Sequence, residues 1–150
     1  MPEKKTIERA RRAKREGKAP TTVAGEFVRE EIEHIRRGKH GARSPKQAIA
    51  IGLSKARRAG VDLPPPQPRQ TKEKTRKSAA RAYERGQEEG PLADGRGTPS
   101  KPSRRIRKRT TSPKRSQAIR SALKREGRGA ASRRALSGQA KSAARRRSNG

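Results

Sequence analysis

The residues able to do chemistry in this 150-residue chain are overwhelmingly cations. Lysine and arginine total 43 against 14 acidic residues, a formal net charge of +29. They gather in blocks. RRIRKR at 104–109 holds Arg104, Arg105, Arg107, Lys108 and Arg109, and SPKR at 112–115 adds Lys114 and Arg115. Arg133, Arg134, Arg145, Arg146 and Arg147 lie in the final stretch. Upstream, Lys39, Arg43 and Lys46 surround one loop, and Arg57 and Arg58 fall near a helix end. Groups of this kind neutralise phosphates, and each one that does so releases condensed counterions. Arginine outnumbers lysine 28 to 15, which suits bidentate phosphate contact. These cations are the candidate nucleic-acid-binding residues.

No convergent catalytic set accompanies them. His34 and His40 occur without cysteine and without HxxxH or HExxH spacing. Adjacent glutamates occur only at Glu30–Glu31 and Glu88–Glu89, and GxxxxGK[ST] and GxGxxG are missing. The expectation is no enzyme: no catalytic residue, no metal ligand and no cofactor. With no cysteine there is no disulfide framework. No apolar run approaches a membrane span, and the Met1 end lacks a signal-peptide core. The basic segments also lack the bulky apolar moment needed to insert into an anionic membrane. A cytoplasmic, nucleoid location is expected.

Few elements can position these cations. Only 26% of residues are hydrophobic, and the rings besides histidine are Phe27 and Tyr83. Such a chain buries little apolar surface against the entropy of ordering. The expected fold class is mostly α with extensive disorder: a small αα-hairpin module, weak isolated helices and a basic tail. Residues 1–19 form a basic arm with a weak helix whose apolar stripe, Ile7, Ala10 and Ala13, is too thin for a core.

Residues 20–63 form the hairpin module. Its first helix, 22–37, carries Val23, Ala24, Phe27, Val28, Ile32 and Ile35 on one face and stops at Gly38. Glu26, Arg29, Glu30, Glu33 and Arg37 lie opposite, while Glu31 falls within the apolar arc and needs a basic partner such as Lys55 or Arg58. The second helix has Ser44 as N-cap, Pro45 at its first position and Gln47 completing a capping box. Gly60 ends it, with Val61 folding back on Ala56 in a Schellman motif. So small a unit is at the limit of independent stability, which suggests a homodimer through 20–63. The loop GKHGARS, 38–44, leads into free helix amides and offers a phosphate cradle. It is longer than a helix-turn-helix turn, which disfavours major-groove readout.

Pro-rich residues 64–70 form a linker, 71–87 a weak helix with Ala79, Ala82 and Tyr83, and 88–111 a Gly/Pro-rich then basic linker. Residues 112–150 form a basic Ala/Arg-rich tail, helical mainly when bound. Its SPKRSQAIRSALKREG echoes SPKQAIAIGLSKARRAG at 44–60.

KTIERA, AGEFVREEIEHIRRGKHGARS and KQAIAIGLSKARRAG together resemble a family of small basic bacterial proteins of uncharacterised function, often labelled DNA-binding. The resemblance covers roughly residues 1–63, with Lys46–Gly60 its strongest part. The tail is similar in character to linker-histone-like tails, and Ser112–Arg115 to their Ser/Thr-Pro-basic-basic turns. The resemblance implies a bacterial setting and no catalytic residues. The expected function is sequence-nonspecific DNA binding by phosphate neutralisation. Its alternatives are an RNA-binding or ribosome-associated basic protein, and a protein-interaction module at 20–63 with an accessory tail.

Overall fold

A computed structural model describes residues 2–92 and 113–148, with side chains throughout except at 113–116. Among these residues are six α-helices, one short 3₁₀ turn and no strand. The helices are α1 (Lys4–Arg15), α2 (Pro20–Arg36), α3 (Pro45–Arg58), α4 (Glu73–Glu89), α5 (Pro113–Arg125) and α6 (Arg133–Ser148), with the turn at Gly129–Ala131.

The first three helices stop by one device. Gly17, Gly38 and Gly60 all have positive φ, which costs a residue without Cβ little. Gly60 N–H donates to Arg57 O and Val61 N–H to Ala56 O, both at 3.1 Å, the paired bonds of a Schellman motif. Gly38 and Lys39 repeat the pattern on Ile35 and His34, and Gly17 and Lys18 repeat it on Lys14 and Ala13. At the start of α3, Ser44 Oγ accepts from Gln47 N–H at 3.3 Å. Gln47 Oε1 reaches one residue further back than a capping box requires, to the Arg43 N–H at 2.8 Å.

The chain divides into two units, neither contiguous in sequence. The first comprises Met1–Glu30 and Ile51–Lys101, the second Glu31–Ala50 and Pro102–Gly150. The core of the first unit is Phe27, Val23, Ala24, Ala56, Ala59 and Val61, joined by Ala10, Ala13 and Leu92. Two expectations change here. Helix α1 is part of this core through Ala10 and Ala13, and Leu92 of the expected linker joins it. Leu92, read from sequence as linker, is 4% exposed and donates its N–H to Ala59 O at 2.8 Å. Among so many alanines, one leucine adds about 1.5–3 kcal/mol of burial. Arg11 Nη2 and Lys14 Nζ hold the neighbouring carbonyls of Pro91 and Leu92 at 3.1 and 2.6 Å.

The acidic side of α2 is also used internally. Glu26 pairs with Arg9 of α1 at 3.3 Å. Glu30, placed on the exposed face by periodicity, is 2% exposed: it accepts the Glu3 N–H at 3.1 Å and faces Lys55 Nζ at 3.4 Å. The cause is α1, whose start packs on that face. Small residues allow close approach elsewhere. A Cβ at Gly52 would lie 2.6 Å from Val28 Cα, and one at Gly86 of α4 would overlap the Arg57 carbonyl oxygen. Tyr83 of α4 donates its hydroxyl to Asp62 Oδ1 at 2.7 Å.

The second unit has a smaller core of Ile35, Ala42, Ala48, Ala130 and Ala131, with Ile32 against it. The tail beyond residue 112 contributes the helices α5 and α6 to this unit. Gly41 N–H donates to Leu123 O at 2.8 Å and Ala42 N–H to Gly127 O at 3.2 Å. Leu123 lies in the last turn of α5, where carbonyls lack intrahelical donors, so the 38–44 loop caps the end of that helix. Arg36 Nε donates to Ala131 O at 3.0 Å on the following turn.

Two measurements check this packing. Gly86→Ala should lower unfolding stability by about 1–3 kcal/mol through overpacking, although alanine is the better helix former by about 1 kcal/mol. Gly25→Ala, where an added Cβ meets no atom within 4 Å, should instead raise stability by about 0.4–1 kcal/mol in urea unfolding. Equal effects at the two sites would contradict the close α3–α4 contact.

Tyr83 is the chain's single tyrosine and there is no tryptophan, so its ionisation is directly visible by absorbance. Its pKa is raised above the ordinary value by the hydrogen bond to Asp62, then by burial and by the Asp62 charge. A raised folded pKa means its stabilisation is complete below about pH 10 and is lost as pH climbs through the folded value. Asp62→Asn should move the phenolate midpoint down, and an unchanged midpoint would refute the contact.

Candidate nucleic-acid interface

The described cations divide by what their side chains already do. Lys39, Arg43, Lys46 and Arg58 are exposed, as are Arg133, Arg134, Arg145, Arg146 and Arg147 of α6. Lys114 and Arg115 lie within α5, with side chains outside the described set. Arg104, Arg105, Arg107, Lys108 and Arg109 lie outside the described residues.

Helix α6 offers the most regular array. Over Arg133–Ser148 it carries six cations and no acid, and none of its residues is buried. At 100° per residue, Arg134, Lys141 and Arg145 fall within about 40° of one another and span about 17 Å of helix. Ala135, Leu136, Gln139 and Ala143, the half-buried positions, lie on the other side. The packed face is thus held inward and a line of three cations is turned to solvent.

Arg146 departs from the other arginines of that helix. Grouped by sequence with Arg145 and Arg147 as one basic run, it turns back along its own helix, where its Nε donates to the Ser142 carbonyl oxygen at 3.4 Å. That residue is one turn earlier, and its carbonyl belongs to the last turns of α6. Arg146 stays exposed, so its remaining guanidinium donors can meet a phosphate, but one donor is spent on the helix end. Adjacent arginines point about 100° apart, so the run does not act as a single block.

Arg57 is a correction. Periodicity groups it with Arg58 on the polar face, yet it is 9% exposed. Its Nε donates to Leu63 O at 3.1 Å and its Nη2 to Pro64 O at 3.4 Å. Burial lowers its pKa from the usual arginine value. Two of its donors are therefore spent fixing the chain as it leaves α3 for the prolines. Sequence periodicity missed this because it ignores where the chain turns after Gly60.

The phosphate cradle at 38–44 is in part taken up by the chain itself. The amides of Gly41, Ala42, Arg43 and Gln47 all have acceptors within the chain. Fewer amides than expected are thus turned to an anion there, and Arg43 Nη2 lies 3.3 Å from Glu126 Oε1. Gly41 and Ala42 are taken by the end of α5 and the turn after it, and Arg43 and Gln47 by the local cap of α3.

Beside that loop the structure assembles a group that spacing rules did not single out. Glu31 and His34 are three apart on α2, and the Gly38 turn brings His40 back towards them. His40 Nε2 lies 2.9 Å from Glu31 Oε1, a basic partner for Glu31 that periodicity did not name. The two imidazoles meet edge to face with centroids 6.2 Å apart. The three side chains present ligand atoms all within 4.8 Å of one another. The available signal was the i, i+3 pair followed by a glycine stop and a histidine.

Residues 11–67 match the model of a family of unknown function (DUF6496). The match takes in α2, α3 and the loop between them, and brings no activity with it. No curated protein and no solved structure matches the chain. No helix among the described residues is long and apolar enough to cross a membrane.

The Arg57–Arg58 contrast is open to test. Arg57→Ala should destabilise the fold by about 1–3 kcal/mol, because carbonyls lose charge-assisted donors, while Arg58→Ala should stay within about 0.5 kcal/mol. Thermal unfolding of the two variants measures this, and equal losses would refute the assigned role of Arg57.

Proposed function

We propose that this protein binds DNA without sequence preference, by phosphate neutralisation, in the manner of a nucleoid-associated or linker-histone-like protein. The observation that carries the reading is the excess of cations whose side chains are not consumed internally, above all the Arg134–Lys141–Arg145 line on the acid-free α6. Charge of this kind gives affinity without base readout. The single tyrosine and phenylalanine argue against a stacking surface for single strands. The 104–109 block adds five more cations in sequence. The helices of the hairpin module serve as the scaffold, with Lys46 and Arg58 exposed on α3 and Lys39 and Arg43 exposed on the 38–44 loop. A location at the nucleoid follows from the same reading.

The test is binding to unrelated DNA duplexes across a salt series, with structured and single-stranded RNA as competitors. For 6–10 phosphate contacts the affinity should fall by about 10³–10⁵ between 50 and 200 mM salt. Replacing Arg134, Lys141 and Arg145 by alanine should flatten the log–log slope by about 2–3, at about 0.9 per contact. Affinity indifferent to salt would overturn the reading, and preference for RNA over duplex DNA would replace the proposed polymer.

A further inference from the structure

We propose that Glu31, His34 and His40 bind one borderline divalent transition-metal ion, for which zinc is the natural probe. The donor set is two imidazole nitrogens and one carboxylate oxygen. That mixture favours zinc, cobalt, nickel or copper over magnesium and calcium, which prefer oxygen throughout. Three protein ligands with a fourth position for water form a recognised zinc arrangement.

The site is built rather than incidental. Glu31 is 1% exposed and His34 9%, while the His40 side chain is 20% exposed. The ligands therefore sit together below the surface, with an opening on the His40 side. His40 Nδ1 lies 3.1 Å from the Gly41 carbonyl oxygen, which can only accept, so a metal on Nε2 in place of its proton leaves Nδ1–H to donate there. Metal-ligating histidines are oriented by such a second bond. Gly41 is itself fixed, through its N–H to Leu123 O and through contact too close for a Cβ against Glu126.

Distances fit with a small adjustment. Ligand atoms on one ion, at bonds of about 2.0–2.1 Å, stand about 3.3 Å apart in a tetrahedron. The Glu31–His40 separation of 2.9 Å is near that value. The widest separation, within 4.8 Å, closes by about 1.5 Å through side-chain rotation. The chain's +29 charge opposes any cation, and the buried carboxylate of Glu31 is what offsets it at this point. Bound metal would clasp the 38–44 loop to α2 and so hold the amides that cap α5.

Both of the chain's histidines lie in the site, which makes the test direct. The full chain, without a polyhistidine tag and without DNA, is titrated with Co(II) followed by visible absorption, with Zn(II) followed by imidazole NMR, and with Mg(II) as control. The expected result is saturation at one equivalent, both imidazoles responding to zinc and neither to magnesium. His34→Ala and His40→Ala should each weaken binding at least about tenfold, with circular dichroism confirming that the helices persist. Glu31→Gln should do the same, and the histidine variants carry the test if that variant does not fold. No saturation, a response from one imidazole alone, or affinity unchanged in either histidine variant would overturn the site. DNA binding is a separate measurement, so failure of either proposal leaves the other standing.

Discussion

Backbone meeting backbone is the constraint on which the rest of this structure depends. A chain with one phenylalanine, no tryptophan and 26% hydrophobic residues cannot join distant segments by apolar bulk. It joins them where side chains are small or missing. Leu92 N–H meets Ala59 O, Gly41 N–H meets Leu123 O, and Ala42 N–H meets Gly127 O. Gly52 against Val28 and Gly86 against Arg57 are the same solution without a cross-chain bond. Each junction is short range, so the alanine-lined cores beside it reach contact distance and gain the dispersion that small side chains otherwise forfeit.

Acids are placed to serve those junctions. Glu26 and Glu30 take up Arg9, Lys55 and the Glu3 amide around α1, and Glu126 takes Arg43 beside the α5 end. Helix α6 receives none in its own sequence. Repulsion is therefore relieved where the fold needs it and left in place on the outer face of the last helix. Such a face holds a high positive potential, which raises the local concentration of any polyanion.

Much of the local structure was legible. The stops at Gly17, Gly38 and Gly60, the Ser44 cap and the helical character of all six segments follow from short-range rules that need only neighbouring residues. Long-range choices were not legible. Nothing near Leu92 in sequence marks it as core, because its partner Ala59 lies more than thirty residues away. Glu30 looked solvated because periodicity describes one helix and cannot see α1 arriving. Arg57 and the 38–44 amides were read as open for the same reason: their acceptors, Leu63, Pro64, Leu123 and Gly127, are supplied by the path of the chain. For the candidate interface, the cations of α6 were legible as charge, but not which side of the helix was turned inward, nor that Arg146 would turn back to Ser142.

The Gly41 and Ala42 contacts also determine how unevenly this region tolerates change. They recognise carbonyl oxygens, and every residue type carries the same carbonyl. Substitutions on the exposed positions Lys124 and Arg125 alter side chains that the junction never reads. At Gly41 the situation reverses, since a single methyl group would collide with the Glu126 backbone. One partner of the junction is free to drift across the amino-acid alphabet while the other is confined to a single letter.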